Sequence, residues 1–464
     1  MSQWKKVRIG DICKIVKGST GIASAEPGQY PLVVTAEERK TCSSYQFDCE
    51  AVCIPLVSSS GHGKKSLKNV HYQSGKFALG TILCAVIPNN PQELDARYLH
   101  QYLQFYKDTL LVPLMKGAAN VSLSMKDIAT VEFPLPPIEN QRELSNLFIT
   151  LQENQKKLTA ETEQQLEYTK LLRQNILQDA IEGKLTTEWR KSHPIIKGTP
   201  DYDAEALFEQ IQKGEASPSL PSQVAPRIAP ASSVDSLRFV GLSATPSAGD
   251  TPVTPPFEIP EGWKWVRLGT VCKIIGGYAF NSYDLKESGD NYVLRLGNIR
   301  DNQIRYEAKP AFVNNKLVTD LADYQAKEND ILITMTGTRG KQDYLYSVKI
   351  SKEHLNCNSM FVNQRVGIIR LKCCIDFVYK SLHSDLLKQQ IFDSATGSAN
   401  QANIGIKALN NWLIPLPPLK EQEEIVNKVE SLLAKATELE NQIQDRKSLS
   451  DKLIFGIIKE NLEG

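Results

Sequence analysis

Residues 134–183 recur as residues 415–464 without a gap, at a constant separation of 281 positions (415 − 134). Each copy starts with Pro-Leu-Pro-Pro and ends with Glu-Gly. A gap-free match of this length indicates an internal duplication. Because proline lacks a backbone donor and restricts the residue before it to extended conformations, the Pro-Leu-Pro-Pro run cannot be helical. The duplication therefore predicts that a globular domain ends, and a different element begins, at the same place in each copy.

Apolar side chains at heptad spacing follow each Pro-Leu-Pro-Pro run and predict an apolar seam along a long helix. In the first copy the seam residues are Leu144, Phe148, Leu151, Leu158, Leu172 and Ile176. In the second copy they are Ile425, Val429, Leu432, Leu439, Ile443, Leu453 and Ile457. The seam is interrupted at equivalent positions, by Gln165 and Arg446 and by Thr169 and Ser450. Since polar seam residues lower stability but fix register or partner, we expect the two helices to pack on each other.

A helix of about 45 residues is roughly 65–70 Å long, which exceeds an ordinary globular helix. We therefore predict that the two helices form one antiparallel coiled coil. The alternative is a pair of amphipathic helices, each packed on a separate domain.

The starts of the globular regions are duplicated as well. The stretch from Trp4 to Gly10 reappears from Trp263 to Gly269, at a separation of 259 positions (263 − 4). The second globular region is thus longer by 22 residues (281 − 259). Each half therefore consists of a Trp-led strand, a variable globular part, the Pro-rich exit and a long helix.

The predicted fold class is α/β (mixed α+β), with two globular domains separated by a two-helix antiparallel coiled coil in a pseudo-twofold repeat. The domains are residues 1–137 and 261–418, and the helices are residues 138–185 and 419–464. Residues 186–260 are predicted to be a linker, with a short helix near residues 204–212 before Pro-, Ser- and Ala-rich sequence. That sequence, residues 216–256, is expected to be mobile; the alternative is an ordered strap along the coiled coil. Helices are also predicted at residues 98–111 and 377–391.

Composition limits the class of protein. Hydrophobic residues make up 41% and charged residues 23% of the 464-residue chain, as in folded soluble proteins. The net charge is only +1, so any basic surface must be local. We expect a cytoplasmic protein without a membrane segment, because no apolar run is long enough to span a bilayer and the charged start lacks a signal-peptide core. The nine cysteines form no paired ligand clusters, which favours reduced core thiols over a metal site.

Two polar, glycine-containing loops follow equivalent predicted strands, at residues 58–65 and 334–341. A second pair of such stretches occurs at residues 116–120 and 397–401. Hydroxyl, amide and basic groups of this kind contact phosphates and base edges in DNA complexes. The alternative is that they are ordinary turns, but their recurrence in both halves favours a function. The candidate DNA-binding residues are Ser60, His62, Lys64, Lys65, Lys116, Asn120, Thr336, Thr338, Arg339, Lys341, Asn400 and Gln401, with Arg39, Lys40, Asn298 and Arg300 as weaker candidates.

Catalytic motifs are missing from the sequence. Gly340-Lys341 is followed by Gln342, and Gly63-Lys64 by Lys65, so neither forms a nucleotide-binding P-loop. An Asn-Pro-Pro-aromatic motif and a strand-linked glycine-rich S-adenosylmethionine loop are also missing. The sequence therefore predicts a chain that is not an enzyme and that holds no metal.

Taken together, the two domains, the Pro-Leu-Pro-Pro exits and the long helices resemble the specificity subunit of type I restriction-modification systems. Residues 171–185 are similar to that family's central conserved region. The resemblance implies a non-catalytic subunit that recognises a bipartite double-stranded DNA target. It also implies two methyltransferase subunits and, with them, restriction subunits as partners. S-adenosylmethionine, ATP and magnesium would then belong to the partners. Residues 448–455 match the conserved pattern poorly beside residues 170–177, so the two docking sites are not expected to be identical.

Two other classes of function remain open from the residues alone. One is a single-chain DNA methyltransferase or nuclease with a degenerate site. The other is a coiled-coil scaffold that does not bind DNA, which the paired loops argue against.

Overall fold

A computed structural model describes residues 4–60, 63–214, 255–356, 358–371, 374–398 and 401–463. The chain divides into two compact units. The first unit comprises residues 1–166 and 441–464, and the second comprises residues 167–440. Both long helices contribute residues to both units.

The first unit contains ten strands and three short helices in its described globular part. The strands are β1 (Lys6–Arg8), β2 (Cys13–Lys17), β3 (Tyr30–Val33), β4 (Lys40–Cys42), β5 (Phe47–Asp48), β6 (Ala51–Pro55), β7 (His71–Gln73), β8 (Lys76–Leu79), β9 (Leu83–Pro88) and β10 (Glu132–Pro134). The helices are α1 (Ile9–Ile12), α2 (Ala96–Leu110) and α3 (Met125–Ala129), and the first long helix is α4 (Ile138–Ile181).

Two four-stranded sheets, in the orders β2-β9-β6-β7 and β4-β3-β8-β5, form the body of the first unit. Strand β6 is buried on both faces because its side chains alternate between two apolar clusters. Val52 and Ile54 pack with α2, while Ala51 and Cys53 pack with the second sheet. This central strand leads directly into the loop at residues 58–65.

The second unit contains thirteen strands in its described part. They are β11 (Lys264–Arg267), β12 (Cys272–Gly276), β13 (Asn291–Leu294), β14 (Ile299–Arg300), β15 (Gln303–Ile304), β16 (Phe312–Val313), β17 (Ile331–Thr334), β18 (Thr336–Gly337), β19 (Ser347–Lys349), β20 (Ser359–Val362), β21 (Val366–Leu371), β22 (Ala402–Asn403) and β23 (Leu413–Leu416). The helices are α5 (Thr187–Ser192), α6 (Ala204–Lys213), α7 (Leu268–Val271), α8 (Asn315–Val318), α9 (Lys352–Leu355), α10 (Ile375–Ser381), α11 (Asp385–Ser394), α12 (Ile406–Asn411) and the second long helix α13 (Leu419–Glu463).

The sheets of the second unit repeat the topology of the first. The order β12-β21-β17-β19 matches β2-β9-β6-β7, and all neighbours in both sheets are antiparallel. In the other sheet β13 is antiparallel to β16 and parallel to β20, as β3 is antiparallel to β4 and parallel to β8. The duplication inferred from the two ends of each copy thus includes the globular part between them.

The first and last strands of each unit pair in equivalent register. Lys6 lies opposite Pro134 and Val7 opposite Phe133, while Trp265 lies opposite Pro415 and Val266 opposite Ile414. These partners are related by the separations of 259 and 281 positions (6 + 259 = 265; 134 + 281 = 415). The chain leaves each strand pair through the Pro-rich run, and α4 and α13 begin immediately after it.

The two long helices run antiparallel within each unit. In the first unit Gln155 donates to Asp451 at 3.0 Å, and Arg446 donates to Gln165. In the second unit Arg173 donates to Glu440 at 3.0 Å and 2.9 Å. Gln165 and Arg446 are equivalent residues of the repeat (165 + 281 = 446), and they pair with each other.

The apolar seam is less continuous than the heptad pattern predicts. Phe148, Ile176, Ile425 and Val429 are buried, but Leu172, Leu439 and Leu453 are 41%, 45% and 62% exposed. Assigning these three leucines to a buried seam is wrong. Around Leu172 and Leu439 the contacts between the helices are polar, because Arg173 donates to both Glu440 and Thr437.

The described part of the predicted linker is not extended. Helix α6 starts at the N-cap Asp203, and its residues Leu207 and Ile211 are buried in the core of the second unit. Residues 215–254, which contain most of the stretch predicted to be mobile, lie outside the described residues. The helix predicted at residues 377–391 is two helices, α10 and α11, because the chain turns at residues 382–384.

The cysteines that the structure describes are free thiols. Burial raises the pKa of Cys13, Cys84 and Cys272 to about 12, so these thiols stay protonated and behave as small apolar side chains. Within the described ranges no helix combines the length and hydropathy needed to cross a bilayer.

Candidate nucleic-acid interface

In the first unit, the loop after β6 lies against the turn at residues 116–122. Ser58 N–H donates to the Val121 carbonyl at 3.0 Å, and Gly63 N–H donates to the Ala119 carbonyl at 3.4 Å. The two polar stretches that the sequence singles out in this half therefore meet. We call residues 58–65 and 116–122 the first loop pair.

Serine side chains fold the loop of the first pair. The Ser58 hydroxyl donates to the Lys64 carbonyl at 2.5 Å and accepts from Ser66 N–H at 3.2 Å. The hydroxyls of Ser60 and Ser66 are 2.7 Å apart. Because these bonds are internal to the loop, Lys64 and Lys65 remain exposed and available to a ligand.

The turn of the first loop pair is closed by two backbone hydrogen bonds of 2.8 Å between Lys116 and Ser122. Gly117 has a φ of 120°, and a Cβ there would approach the Asn120 carbonyl oxygen to 2.2 Å, so only glycine fits. Lys116 Nζ lies 3.2 Å from the Asp127 carboxylate. Hydrogen bonds from Ser124 and Lys116 hold the pKa of Asp127 below its usual value.

The second unit repeats this construction. Strand β18 in the loop after β17 pairs with β22, so that Thr336 lies opposite Asn403. Thr396 and Asn403 exchange backbone hydrogen bonds of 3.1 Å and 2.9 Å, and a Cβ on Gly397, whose φ is 103°, would approach the Gln401 carbonyl oxygen to 2.2 Å. Asn403 is the equivalent of Ser122 (122 + 281). We call residues 336–343 and 396–403 the second loop pair.

The loop of the second pair is held by a carboxylate. Asp343 accepts from Thr338 N–H at 2.5 Å and from the Thr338 hydroxyl at 3.5 Å. The Arg339 guanidinium donates to the Ala395 carbonyl, which ties the loop to the turn. Arg339, Lys341 and Gln401 are exposed, whereas the Thr336 hydroxyl is buried without a hydrogen-bond partner among the described residues. Both loop pairs thus present exposed basic side chains from a backbone that is held by internal hydrogen bonds.

A family model described as the type I restriction modification DNA specificity domain matches residues 1–168 and 260–446. The chain belongs to this family. It is 31% identical over 195 residues to the type I restriction enzyme EcoAI specificity subunit of Escherichia coli, a match covering 41% of this chain and 32% of that protein. It is 22% identical over 481 residues to the EcoDI specificity subunit of the same species, covering 99% of this chain and 88% of that protein. The match to the EcoAI subunit therefore spans about a third of that relative's length.

A solved chain from a study of complex assembly and conformational transition of the type I R-M system has the same fold. It aligns with a TM-score of 0.62 at 16% identity, over 100% of this chain and 98% of that chain. The family assignment and the fold class predicted from the sequence are confirmed. Because the relatives are specificity subunits, their names agree with the prediction of a recognition chain that is not an enzyme.

Two of the weaker DNA-binding candidates, Asn298 and Arg39, make hydrogen bonds within this chain. Asn298 is fully buried; its Oδ1 accepts from Arg295 N–H at 2.9 Å, and its Nδ2 donates to the Arg305 and Ala308 carbonyls at 2.8 Å and 3.0 Å. Arg39 donates to Gln73 at 3.1 Å and to the carbonyls of Glu37 and Tyr72 at 2.9 Å and 3.3 Å. The assignment of Asn298 as a DNA contact is wrong, because this side chain is fully buried and its polar atoms hold the backbone of its own loop. Arg39 is half-buried, and DNA contact by it stays a prediction.

The remaining candidates differ in position. Arg300 is half-buried over the Tyr346 ring, 5.1 Å from its centroid, and Lys40 is exposed in the edge strand β4, outside the first loop pair. Ser60 and Asn120 lie in the first loop pair, and DNA contact by all these residues stays a prediction. His62 and Asn400 lie outside the described residues.

Sequence reasoning missed the carboxylates that position the loops, Asp127 and Asp343. The stretch from Ser124 to Asp127 carries a signal, since it has the spacing of a capping box, and Ser124 caps α3 by accepting from Asp127 N–H at 3.0 Å. Asp343 has no comparable signal, because it reaches Thr338 only through the loop conformation.

Proposed function

We propose that this chain is the DNA-recognition subunit of a type I restriction-modification complex and that each unit recognises one half of a bipartite double-stranded target. The observation that carries the proposal is the second loop pair, which repeats the construction of the first after the equivalent strand. Because the fold repeats the loop framework, each unit presents a similar site. The two half-sites of a bipartite DNA target are a matching pair of ligands for two such sites.

The chemistry of the loop pairs fits DNA. Lys64, Lys65 and Lys116 carry exposed ammonium groups suited to phosphates, which fix the position of a protein on the duplex. Arg339 can offer its remaining donors to guanine, and Gln401 can pair with adenine, in the major groove. With a net charge of +1, such local basic groups are the part of the surface that attracts DNA.

Alanine variants in each loop pair test this proposal. We expect Arg339→Ala and Lys341→Ala to weaken recognition of one half-site, and Lys64→Ala and Lys65→Ala that of the other. Loss of a base contact costs about 1–3 kcal/mol, whereas loss of a phosphate contact lowers the affinity for all sequences and reduces the salt dependence. Lys352→Ala is the matched control, since Lys352 is an exposed lysine in α9, outside the loops. Unchanged affinity and salt dependence in all four variants would contradict the proposal.

The long helices are the proposed docking sites for two methyltransferase subunits, through which restriction subunits join. Leu172 and Leu453 are equivalent residues (172 + 281 = 453), and both are exposed, as are the nearby Leu171 and Leu449. Exposed apolar side chains that recur at equivalent positions indicate two contacts with one kind of partner. We expect Leu172→Glu and Leu453→Glu each to remove one methyltransferase from the complex in native mass spectrometry. Lys156→Glu, an exposed position on α4, is the control; an unchanged stoichiometry in both leucine variants would contradict this docking site.

In the proposed complex, which is cytoplasmic, the partner subunits bind S-adenosylmethionine, ATP and magnesium. This chain contributes recognition and assembly. Methyl transfer to DNA by the purified chain alone would contradict this assignment.

A further inference from the structure

In the second unit, the β12-β21-β17-β19 sheet brings a third segment to the edge from which the second loop pair emerges. Strand β21 is antiparallel to both β12 and β17. The ends of β12 and β17 and the start of β21 therefore lie at one edge of the sheet. The chain enters β21 at this edge through residues 363–365, which connect β20 to β21 and which we call the β20–β21 turn.

Backbone hydrogen bonds hold the β20–β21 turn on both sides. Gln364 N–H donates to the Tyr278 carbonyl, in the segment after β12, at 2.9 Å. Met335 N–H donates to the Arg365 carbonyl at 3.0 Å. Because Met335 directly precedes the second loop pair, the backbone of Arg365 lies beside the base of that loop.

The Arg365 side chain takes no part in holding the turn. It is exposed, and within the described residues the structure gives its guanidinium no hydrogen bond, ion pair or ring contact. A guanidinium carries five N–H donors and a permanent positive charge. All of these donors are therefore available to an anionic ligand at this edge of the sheet.

The equivalent turn of the first unit, residues 80–82, shows that the fold does not require an arginine here. Its backbone is held in the same way, since Thr81 N–H donates to the Thr20 carbonyl at 3.1 Å and Leu56 N–H donates to the Ile82 carbonyl at 2.8 Å. Ile82 thus occupies the place of Arg365. It is half-buried and packs on the apolar cluster of the first unit that contains Leu83. Packing accounts for Ile82, whereas it does not account for an exposed cation at the same place.

We propose that Arg365 binds a phosphate of the DNA that the second unit recognises, and so positions the second loop pair on the duplex. The proposal rests on the proposed function. A cation beside the base of a base-contacting loop faces the sugar-phosphate backbone that flanks the groove, and contacts of this kind fix register and orientation. The second unit then contacts DNA through three segments: the two stretches of its loop pair and the β20–β21 turn.

Salt-dependent binding of the full chain to a fluorescent pool of DNA duplexes of randomised sequence tests the role of Arg365. One phosphate contact contributes about 0.9 to the slope of log affinity against log salt, which corresponds to about fivefold in affinity at about 0.15 M salt. We expect Arg365→Gln to lower the slope and the affinity by these amounts. Arg365→Lys should keep the slope, because an ammonium group also pairs with a phosphate.

Two controls accompany these variants. Lys352→Ala removes an exposed cation in α9, and Thr81→Ala changes an exposed side chain in the equivalent turn of the first unit. Both are expected to keep the slope of the unmodified chain, and thermal unfolding of every variant should be unchanged. An equal loss of slope in Lys352→Ala overturns the proposal, because the effect would then reflect net charge alone.

Failure of this proposal can be distinguished from failure of the proposed function. If Arg365→Gln keeps the affinity and the slope while Arg339→Ala and Lys341→Ala weaken binding, the role of Arg365 alone is overturned. If all three variants bind as the unmodified chain does, the DNA-binding role of this edge is overturned with it.

Discussion

Replacing Arg190 with methionine is expected to destabilise the second unit by about 3 kcal/mol. Glu421 is 2% exposed, and Arg190 is its only cationic partner among the described residues. Removing one member of a buried ion pair costs about 3–5 kcal/mol, because the other charge is left buried without compensation. We expect the lower end of that range, since the Arg190 side chain is itself 22% exposed and water reaches the pair.

The partner variant separates the charge from the hydrogen bonds. Glu421→Gln removes the buried charge, and we expect it to cost about 1–2 kcal/mol, because its amide donors face the donors of Thr186 and Trp263. The double variant Arg190→Met with Glu421→Gln should be more stable than Arg190→Met alone, because no unpaired charge remains. Asn140→Ala, the exposed equivalent in the first unit, is the control and should change stability by less than about 0.5 kcal/mol.

Urea unfolding followed by tryptophan fluorescence measures these differences. Trp189, Trp263, Trp265 and Trp412 lie in the second unit and only Trp4 lies in the first, so the signal reports mainly on the second unit. A loss below about 1 kcal/mol in Arg190→Met, or a double variant less stable than that single variant, would refute the reasoning.

Further predictions concern other buried or paired polar groups. Burial and the nearby Arg39 lower the pKa of His71 to about 4. Below about pH 6.5 His71 binds a proton in the unfolded chain but not in the folded chain. The free energy of unfolding of the first unit should therefore fall by up to about 3 kcal/mol between pH 6.5 and 4. Hydrogen exchange of β7 should show this fall, and His71→Gln should reduce it. Asn298→Ala should cost about 2 kcal/mol in urea unfolding by stranding the Arg305 and Ala308 carbonyls; a loss of DNA affinity at unchanged stability would contradict its structural role. Replacing both Gln165 and Arg446 with leucine should stabilise the helix pair by about 1 kcal/mol but allow register slip. Pulsed electron paramagnetic resonance between spin labels on α4 and α13 should then give a broader distance distribution. An unchanged width would contradict a role of these residues in fixing the register.

The frame of each unit could be predicted from the sequence because its signals are local or repeated. The gap-free separation of 281 positions marks both helices, and the proline runs mark their starts. The paired loops could be located because each follows a buried strand, which is a continuous apolar run such as residues 51–55. These features depend on residue type and spacing alone.

Features that depend on tertiary contacts could not be predicted in the same way. Asn298 resembles a surface amide in sequence, but it is buried and hydrogen-bonded to backbone groups of Arg295, Arg305 and Ala308. Leu172 and Leu453 have seam spacing, yet a heptad pattern does not show which apolar residues a neighbour covers. The helix α6 was predicted from its pattern, but its burial in the second unit depends on a core that is formed by strands distant in sequence.

The two loop pairs show how a duplicated frame can serve two different half-sites, as the proposed function requires. The parts that are alike are backbone features: the strand before the loop, the two hydrogen bonds that close the turn, and a glycine whose Cβ would meet a carbonyl at 2.2 Å in both units. The parts that differ are side chains: Lys64 and Lys65 in one loop, Arg339 and Lys341 in the other. Because the turn geometry is fixed by the backbone and by glycine, exposed side chains beside it can change without loss of the frame. Under the proposed function, divergence limited to such side chains would alter which bases a loop contacts while its position on the unit stays the same.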